Sequence, residues 1–158
     1  DQPRSRGLGD VYKRQVHRTH FLQGGKMSDT ATKGAEGESI RQKVADMMDY
    51  AEPFLEKFPR PEKGYAGLAT KIRMCMNTMA EREMDTHKCY YAKSVLKELN
   101  ELDKHVQYAK FYVERAYKKR ILDQKRFNVM SDYLSQIGKM TGSWINKVTA
   151  TAQNNGRK

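Results

Sequence analysis

The sequence predicts an all-α protein: an antiparallel up-down-up-down four-helix bundle preceded by a disordered N-terminal tail. Apolar residues recur at alternating steps of three and four through four successive segments, the mark of a helix that buries one face. The segments are separated by short stretches of Pro, Gly or helix-capping residues. No stretch shows the strict alternation of a half-buried strand, and no internal repeat stands out. Four amphipathic helices with short connections bury their stripes most simply as an antiparallel bundle.

The first helix places Ile40, Val44, Met47, Ala51, Phe54 and Phe58 on one stripe. Ser39, with Gln42 three residues on, predicts a capping box at its start. Pro53 lies inside the pattern and predicts a kink or a restart, because it lacks an N–H and clashes with the preceding turn. Pro59, Pro61 and Gly64 end the helix and form the first turn. The second helix carries Leu68, Ile72, Cys75 and Met79, and Asp85 or Thr86 then predicts the N-cap of the third. The third helix has the longest stripe, Val95, Leu99, Leu102, Val106, Ala109, Val113 and Ala116, and runs to about Lys119 without Gly or Pro. Asp123 caps the fourth, which carries Phe127, Met130, Leu134, Ile137, Thr141, Trp144 and Val148.

The bundle is thus expected over residues 39–149, between a tail at 1–38 and a flexible C-terminal tail at 150–158. Ser28 to Glu38 holds no apolar residue larger than Ala and has too little to bury to order itself. Upstream, Asp10-Val11-Tyr12-Lys13-Arg14-Gln15 resembles the in-frame translation of a transposon end used as a DNA-sequencing adaptor. The expectation is that residues 1–26 are adaptor and upstream sequence from a metagenomic read, with the start at Met27.

Charge divides the chain unevenly. Residues 1–26 carry six basic and two acidic side chains, 27–85 nine and eleven, and 86–158 fifteen and six, for a net +11 overall. The positive field belongs to the C-terminal half, and such a field gathers polyanions, nucleic acid first and an anionic membrane surface second; plain solubility is the bland alternative. No apolar run approaches the roughly 20 residues that span a bilayer. Two cysteines, Cys75 and Cys89, are too few for a disulfide framework, and a reducing cytoplasm is the simplest setting.

Catalytic signatures are missing. The sequence has no glycine-rich phosphate loop, no HExxH and no EF-hand loop. His87 and Cys89 offer too few ligands for zinc. No Glu-x-x-His pair on the helices favours a di-iron bundle. Cys75 and the methionines Met74, Met76 and Met79 read as packing residues. The expectation is a binding protein with no catalytic residue, metal or cofactor.

Two features exceed what a lone bundle needs. Lys104, Tyr108, Phe111, Arg115 and Lys118 follow helical spacing on a face of helix three away from its core stripe. An outward aromatic pair framed by cations suits a subunit interface, the preferred reading, or stacking on RNA bases. On helix four, Ser131, Ser135, Gly138 and Gly142 form a stripe of small residues that lets another backbone come close, from the same bundle or a second subunit. In addition Lys118, Lys119, Arg120, Lys125 and Arg126 crowd the turn between helices three and four, where cations reach phosphates. Lys104, Arg115 and these five are the candidate nucleic-acid ligands. Tyr108, Phe111, Gly138 and Gly142 are the candidate oligomer interface.

The run Phe58-Pro59-Arg60-Pro61-Glu62-Lys63-Gly64-Tyr65-Ala66-Gly67-Leu68-Ala69-Thr70-Lys71-Ile72-Arg73 resembles the first turn and second helix of the bacterial four-helix bundle proteins. That family includes proteins encoded in ribosomal RNA intervening sequences. Ile137-Gly138-Lys139-Met140-Thr141-Gly142-Ser143-Trp144-Ile145 and the stretch from Tyr50 to Pro53 are more similar to one branch, the accessory variability determinant of diversity-generating retroelements. What this resemblance implies is a non-catalytic accessory protein. It would be a ring-like homopentamer with a basic surface that binds the reverse transcriptase and template RNA, or an RNA/DNA hybrid, during mutagenic retrohoming. The chain departs from that branch in its acidic first half and long N-terminal tail. The competing class is an interaction protein of the rRNA intervening-sequence type with a structural or RNA-binding role.

Overall fold

A computed structural model describes residues 39–156. The tail at 1–38, with its adaptor-like stretch and the start expected at Met27, lies outside them, as do residues 157–158. Four helices form an all-α bundle with no strand among the described residues: α1 (Ile40–Leu55), α2 (Leu68–Thr86), α3 (Ala92–Lys118) and α4 (Gln124–Asn155). A short 3-10 turn, Arg60–Lys63, lies between α1 and α2. Backbone contacts join α1 to α2, α2 to α3, α3 to α4 and α4 back to α1, as an up-down-up-down bundle requires.

Local chemistry explains most of the boundaries. Ser39 caps α1, its Oγ accepting the Gln42 N–H at 3.1 Å. Gln42 does not return the bond; its side chain donates to Asp46 Oδ1 at 2.9 Å, so only half of the expected capping box forms. At Pro53 there is no restart: α1 passes through it and ends at Leu55. The missing N–H falls in the last turn, where one absent bond weakens an end already fraying. Phe58 continues the stripe past the helix end and is buried.

The first turn is tight. A β-carbon on Gly67 would sit 2.1 Å from the Glu62 carbonyl oxygen, which no side chain tolerates. Gly67 therefore has no side chain with which to cap α2, and Glu62 does so instead, Oε2 accepting the Leu68 N–H at 2.9 Å.

The expected cap of the third helix is corrected. Asp85 and Thr86 belong to the last turn of α2, where the buried Thr86 hydroxyl donates to the Arg82 carbonyl at 2.8 Å. Five residues later α3 starts behind Tyr91, which has no capping side-chain bond.

α3 ends as expected near Lys119, in a Schellman motif. The Arg120 N–H bonds the Tyr117 carbonyl at 2.9 Å and the Ile121 N–H bonds the Ala116 carbonyl at 3.0 Å. The residue after the cap, Arg120, has φ 59°, a left-handed conformation usually taken by Gly at this position. For a residue with a β-carbon it costs roughly 1–2 kcal/mol. Asp123 caps α4 as expected, Oδ1 accepting the Arg126 N–H at 2.7 Å. α4 then runs to Asn155, beyond the boundary expected at 149.

The stripes read from the sequence meet in one core. Val44, Met47 and Ala51 of α1, Ile72 and Met79 of α2, Leu102, Val106 and Ala109 of α3, and Met130, Leu134 and Ile137 of α4 are all sealed from solvent. Each large side chain so buried contributes about 1.5–3 kcal/mol. Thr141 occupies a stripe position by donating its hydroxyl to the Ile137 carbonyl at 2.8 Å, which hides its polarity. Cys75 is buried, and loss of water around it pushes its thiol up to about 11, so it is an inert packing residue. Val95, Phe127, Trp144 and Val148 are only half-buried at the edges of the seam.

The helices differ in length. α1 has 16 residues and α2 has 19, whereas α3 has 27 and α4 has 32. The α2 C-terminus comes level with Trp144, whose ring lies 5.4 Å from that of His87. The last eleven residues of α4 therefore project past α1 and α2.

Candidate nucleic-acid and assembly surfaces

The two turns at one end of the bundle meet. Lys119 Nζ lies 2.8 Å from Glu62 Oε1, joining the α3–α4 turn to the α1–α2 turn. Glu62 thus caps α2 with one oxygen and takes a cation with the other. The hydrogen bond from Lys119, then the Leu68 N–H, hold its carboxyl below the usual range.

All five cations expected at the α3–α4 turn lie there and are exposed, but they are not equivalent. Lys118 Nζ is 2.7 Å from Glu114 Oε1, Lys119 is held by Glu62, and the Arg126 guanidinium pairs with Asp123 and rests 5.9 Å from the Phe54 ring. Among the described residues the side chains of Arg120 and Lys125 have no ion-pair or hydrogen-bond partner. Beside Arg120 opens a cleft of about 400 Å³ lined by Tyr117, Lys118, Arg120, Leu122, Asp123 and Gln124. Its wall is braced by Tyr117, which stacks on Phe127 at 4.4 Å and donates its hydroxyl to Gln124.

Farther along α3, Lys104 bonds Glu101 at 3.2 Å and lies 6.0 Å from the Tyr108 ring, while Arg115 is exposed. Arg115 sits one helical turn before Lys118 and Lys119, whereas Lys104 lies three turns farther back along α3, so the seven cations do not form one compact group.

Tyr108 and Phe111 point outward as their spacing requires, 44% and 58% exposed. Each touches aromatic neighbours on its own helix, Tyr108 with His105 at 5.4 Å and Phe111 with Tyr112 at 5.6 Å. The bundle does not demand the two glycines of α4. A β-carbon on Gly138 would meet Val106 at an ordinary 3.7 Å, and one on Gly142 would meet nothing within 4 Å.

Sequence reasoning missed a polar cluster at the opposite end. Glu83 is 2% exposed and accepts both Arg41 Nε at 2.7 Å and a 2.7 Å bond with His87 Nε2. Burial works to raise its carboxyl, but the bonds from His87 and Arg41 prevail and hold it below its ordinary value. The only available signal was the i, i+4 spacing of Glu83 and His87; Arg41 lies 42 residues from Glu83 in sequence.

Fold and surfaces together describe a four-helix bundle with a cationic turn at one end and outward aromatic rings on α3. Among the described residues no group of three or more His, Cys, Asp or Glu side chains is placed to hold a metal ion, and no helix is long and apolar enough to cross a membrane. The bAvd-like family matches residues 39–148, the whole bundle up to the projecting end of α4. The chain belongs to that family, the accessory variability determinants of diversity-generating retroelements, which are accessory, non-catalytic proteins. Comparison with curated proteins gives no match. Of the two branches weighed on sequence, the retroelement branch is the one this match supports.

Proposed function

We propose that this protein is a basic homo-oligomeric scaffold that binds the retroelement's reverse transcriptase and its template RNA, or an RNA/DNA hybrid, during mutagenic retrohoming in the cytoplasm. The observation that carries the reading is the gathering of Lys118, Lys119, Arg120, Lys125 and Arg126 at one turn of a bundle from this family. Five cations on an exposed turn, beside a cleft and bordered by Tyr117, form a surface on which an RNA backbone releases its counterions. Catalysis belongs to the polymerase, and the bundle contributes positioning. The outward Tyr108 and Phe111, and glycines in α4 that the bundle does not need, support self-association, with a pentamer as the expected number by family. The test is fluorescence anisotropy with the element's template RNA across a salt series, together with co-purification of the reverse transcriptase. The wild type should bind both. Replacing all five cations by Gln should weaken RNA binding and flatten its salt dependence, by about 0.7–0.9 in slope for each phosphate no longer neutralised. Unchanged affinity and slope in that variant would remove the turn from the RNA site.

A further inference from the structure

Arg120 occupies the left-handed position of a Schellman motif, where glycine closes the helix without strain. The motif's backbone bonds, Arg120 N–H to the Tyr117 carbonyl and Ile121 N–H to the Ala116 carbonyl, need no side chain, so the turn gains nothing from the guanidinium. A strained residue kept where a simpler one serves points to a use for its side chain. That side chain is exposed and, like Lys125, has no partner among the described residues, whereas Lys118, Lys119 and Arg126 are each held by a carboxylate. Arg120 also lines the roughly 400 Å³ cleft at the turn. The one carboxylate there, Asp123, is engaged by the backbone N–H and guanidinium of Arg126, which offsets its repulsion of an anion.

We infer that the α3–α4 turn seats a backbone phosphate of the RNA strand in this cleft, with Arg120 as its principal ligand; Lys125, the other free cation of the turn, follows the lining residue Gln124 and adds its charge from outside the cleft. Arg120 is thus retained for binding at the expense of folding. The inference rests on the RNA-binding reading above and narrows it from five cations to two. A planar guanidinium suits the role, because it offers two parallel donors to a phosphate where an ammonium offers a point charge. In the other three the positive charge is already partly neutralised by a carboxylate.

The experiment uses the full chain, a labelled single-stranded RNA 20-mer, a salt series and thermal melts. Arg120→Gly should melt higher than wild type, by roughly 3–6 °C, because it relieves the left-handed strain. It should nevertheless bind RNA about three- to tenfold more weakly, with a salt slope shallower by about 0.7. Arg120→Gln should show the same weakening of binding without the higher melting temperature, since it keeps the β-carbon. Lys125→Gln should flatten the slope by a similar amount. The inference is overturned if Arg120→Gly binds with wild-type affinity and slope, or if it melts lower than wild type. If the five-site Gln variant fails to bind while Arg120→Gly and Lys125→Gln bind normally, the turn remains an RNA site but this assignment within it fails. A wild-type chain that binds no RNA overturns both.

Discussion

Glu62 and Lys119 lie 57 residues apart in sequence and meet at 2.8 Å, and the same carboxylate caps α2 through the Leu68 N–H. Glu62→Gln keeps an oxygen for the cap and loses the charge, so it should cost no more than about 1 kcal/mol in urea denaturation. Glu62→Ala removes both roles and should cost about 1–2 kcal/mol.

Acid should act through Glu62 and Glu83. Both carboxyls are held below their ordinary values in the folded chain. A depressed carboxylate stabilises the fold at pH above its unfolded value, and that stability is lost as pH falls through the folded value. Wild type should therefore lose stability below the usual carboxylate range more steeply than Glu62→Gln or Glu83→Gln. Parallel stability–pH curves for all three would exclude these groups as the source.

Glu83 is the more consequential of the two at neutral pH. Glu83→Ala removes a buried acceptor shared by Arg41 and His87. Arg41 and His87 are half-exposed and can turn to water, so the expected loss is about 1–3 kcal/mol, short of that for a fully buried pair. A loss below about 0.5 kcal/mol in chemical denaturation would show that the cluster holds little of the far end together.

Two glycines should separate folding from assembly. Gly67→Ala forces a β-carbon into the Glu62 backbone and should destabilise the fold by more than about 2 kcal/mol. Gly142→Ala meets open space and replaces a poor helix former, so the isolated bundle should gain up to about 1 kcal/mol. If Gly142 lies against a second subunit, the same change lowers the mass seen by light scattering.

The outward rings are tested in the same way. Tyr108→Ser with Phe111→Ser should lower the oligomer mass while leaving helical circular dichroism intact, since neither ring is in the core. A wild type that is already monomeric at micromolar concentration would end the assembly proposal.

What was legible in the sequence was what local spacing decides. The stripes from Ile40 to Ile137 predicted the core because a helix repeats every 3.6 residues whatever it packs against. Ser39 and Asp123 announced their helices because a cap needs only a backbone N–H two or three residues on. The end of α2 was misread because Asp85 and Thr86 have cap chemistry, and no Gly or Pro marks the break at 87–91. Arg120 gave no sign of its left-handed turn because the usual sign is a glycine. The pairs Glu62–Lys119 and Arg41–Glu83 depend on chain segments brought together only by folding. That is why the sequence shows five cations at the turn but not that three of them are paired with carboxylates.

The unequal helix lengths also set a gradient in amide hydrogen exchange. At the end where Glu62 meets Lys119 the bundle is four helices thick. Beyond Trp144, α4 has neither α1 nor α2 to cover it. Amides in its last eleven residues open without breaking the core, and their protons should be replaced by deuterium long before those around Leu134. Any partner that seizes the projecting end would then be seen first as a slowing of that exchange.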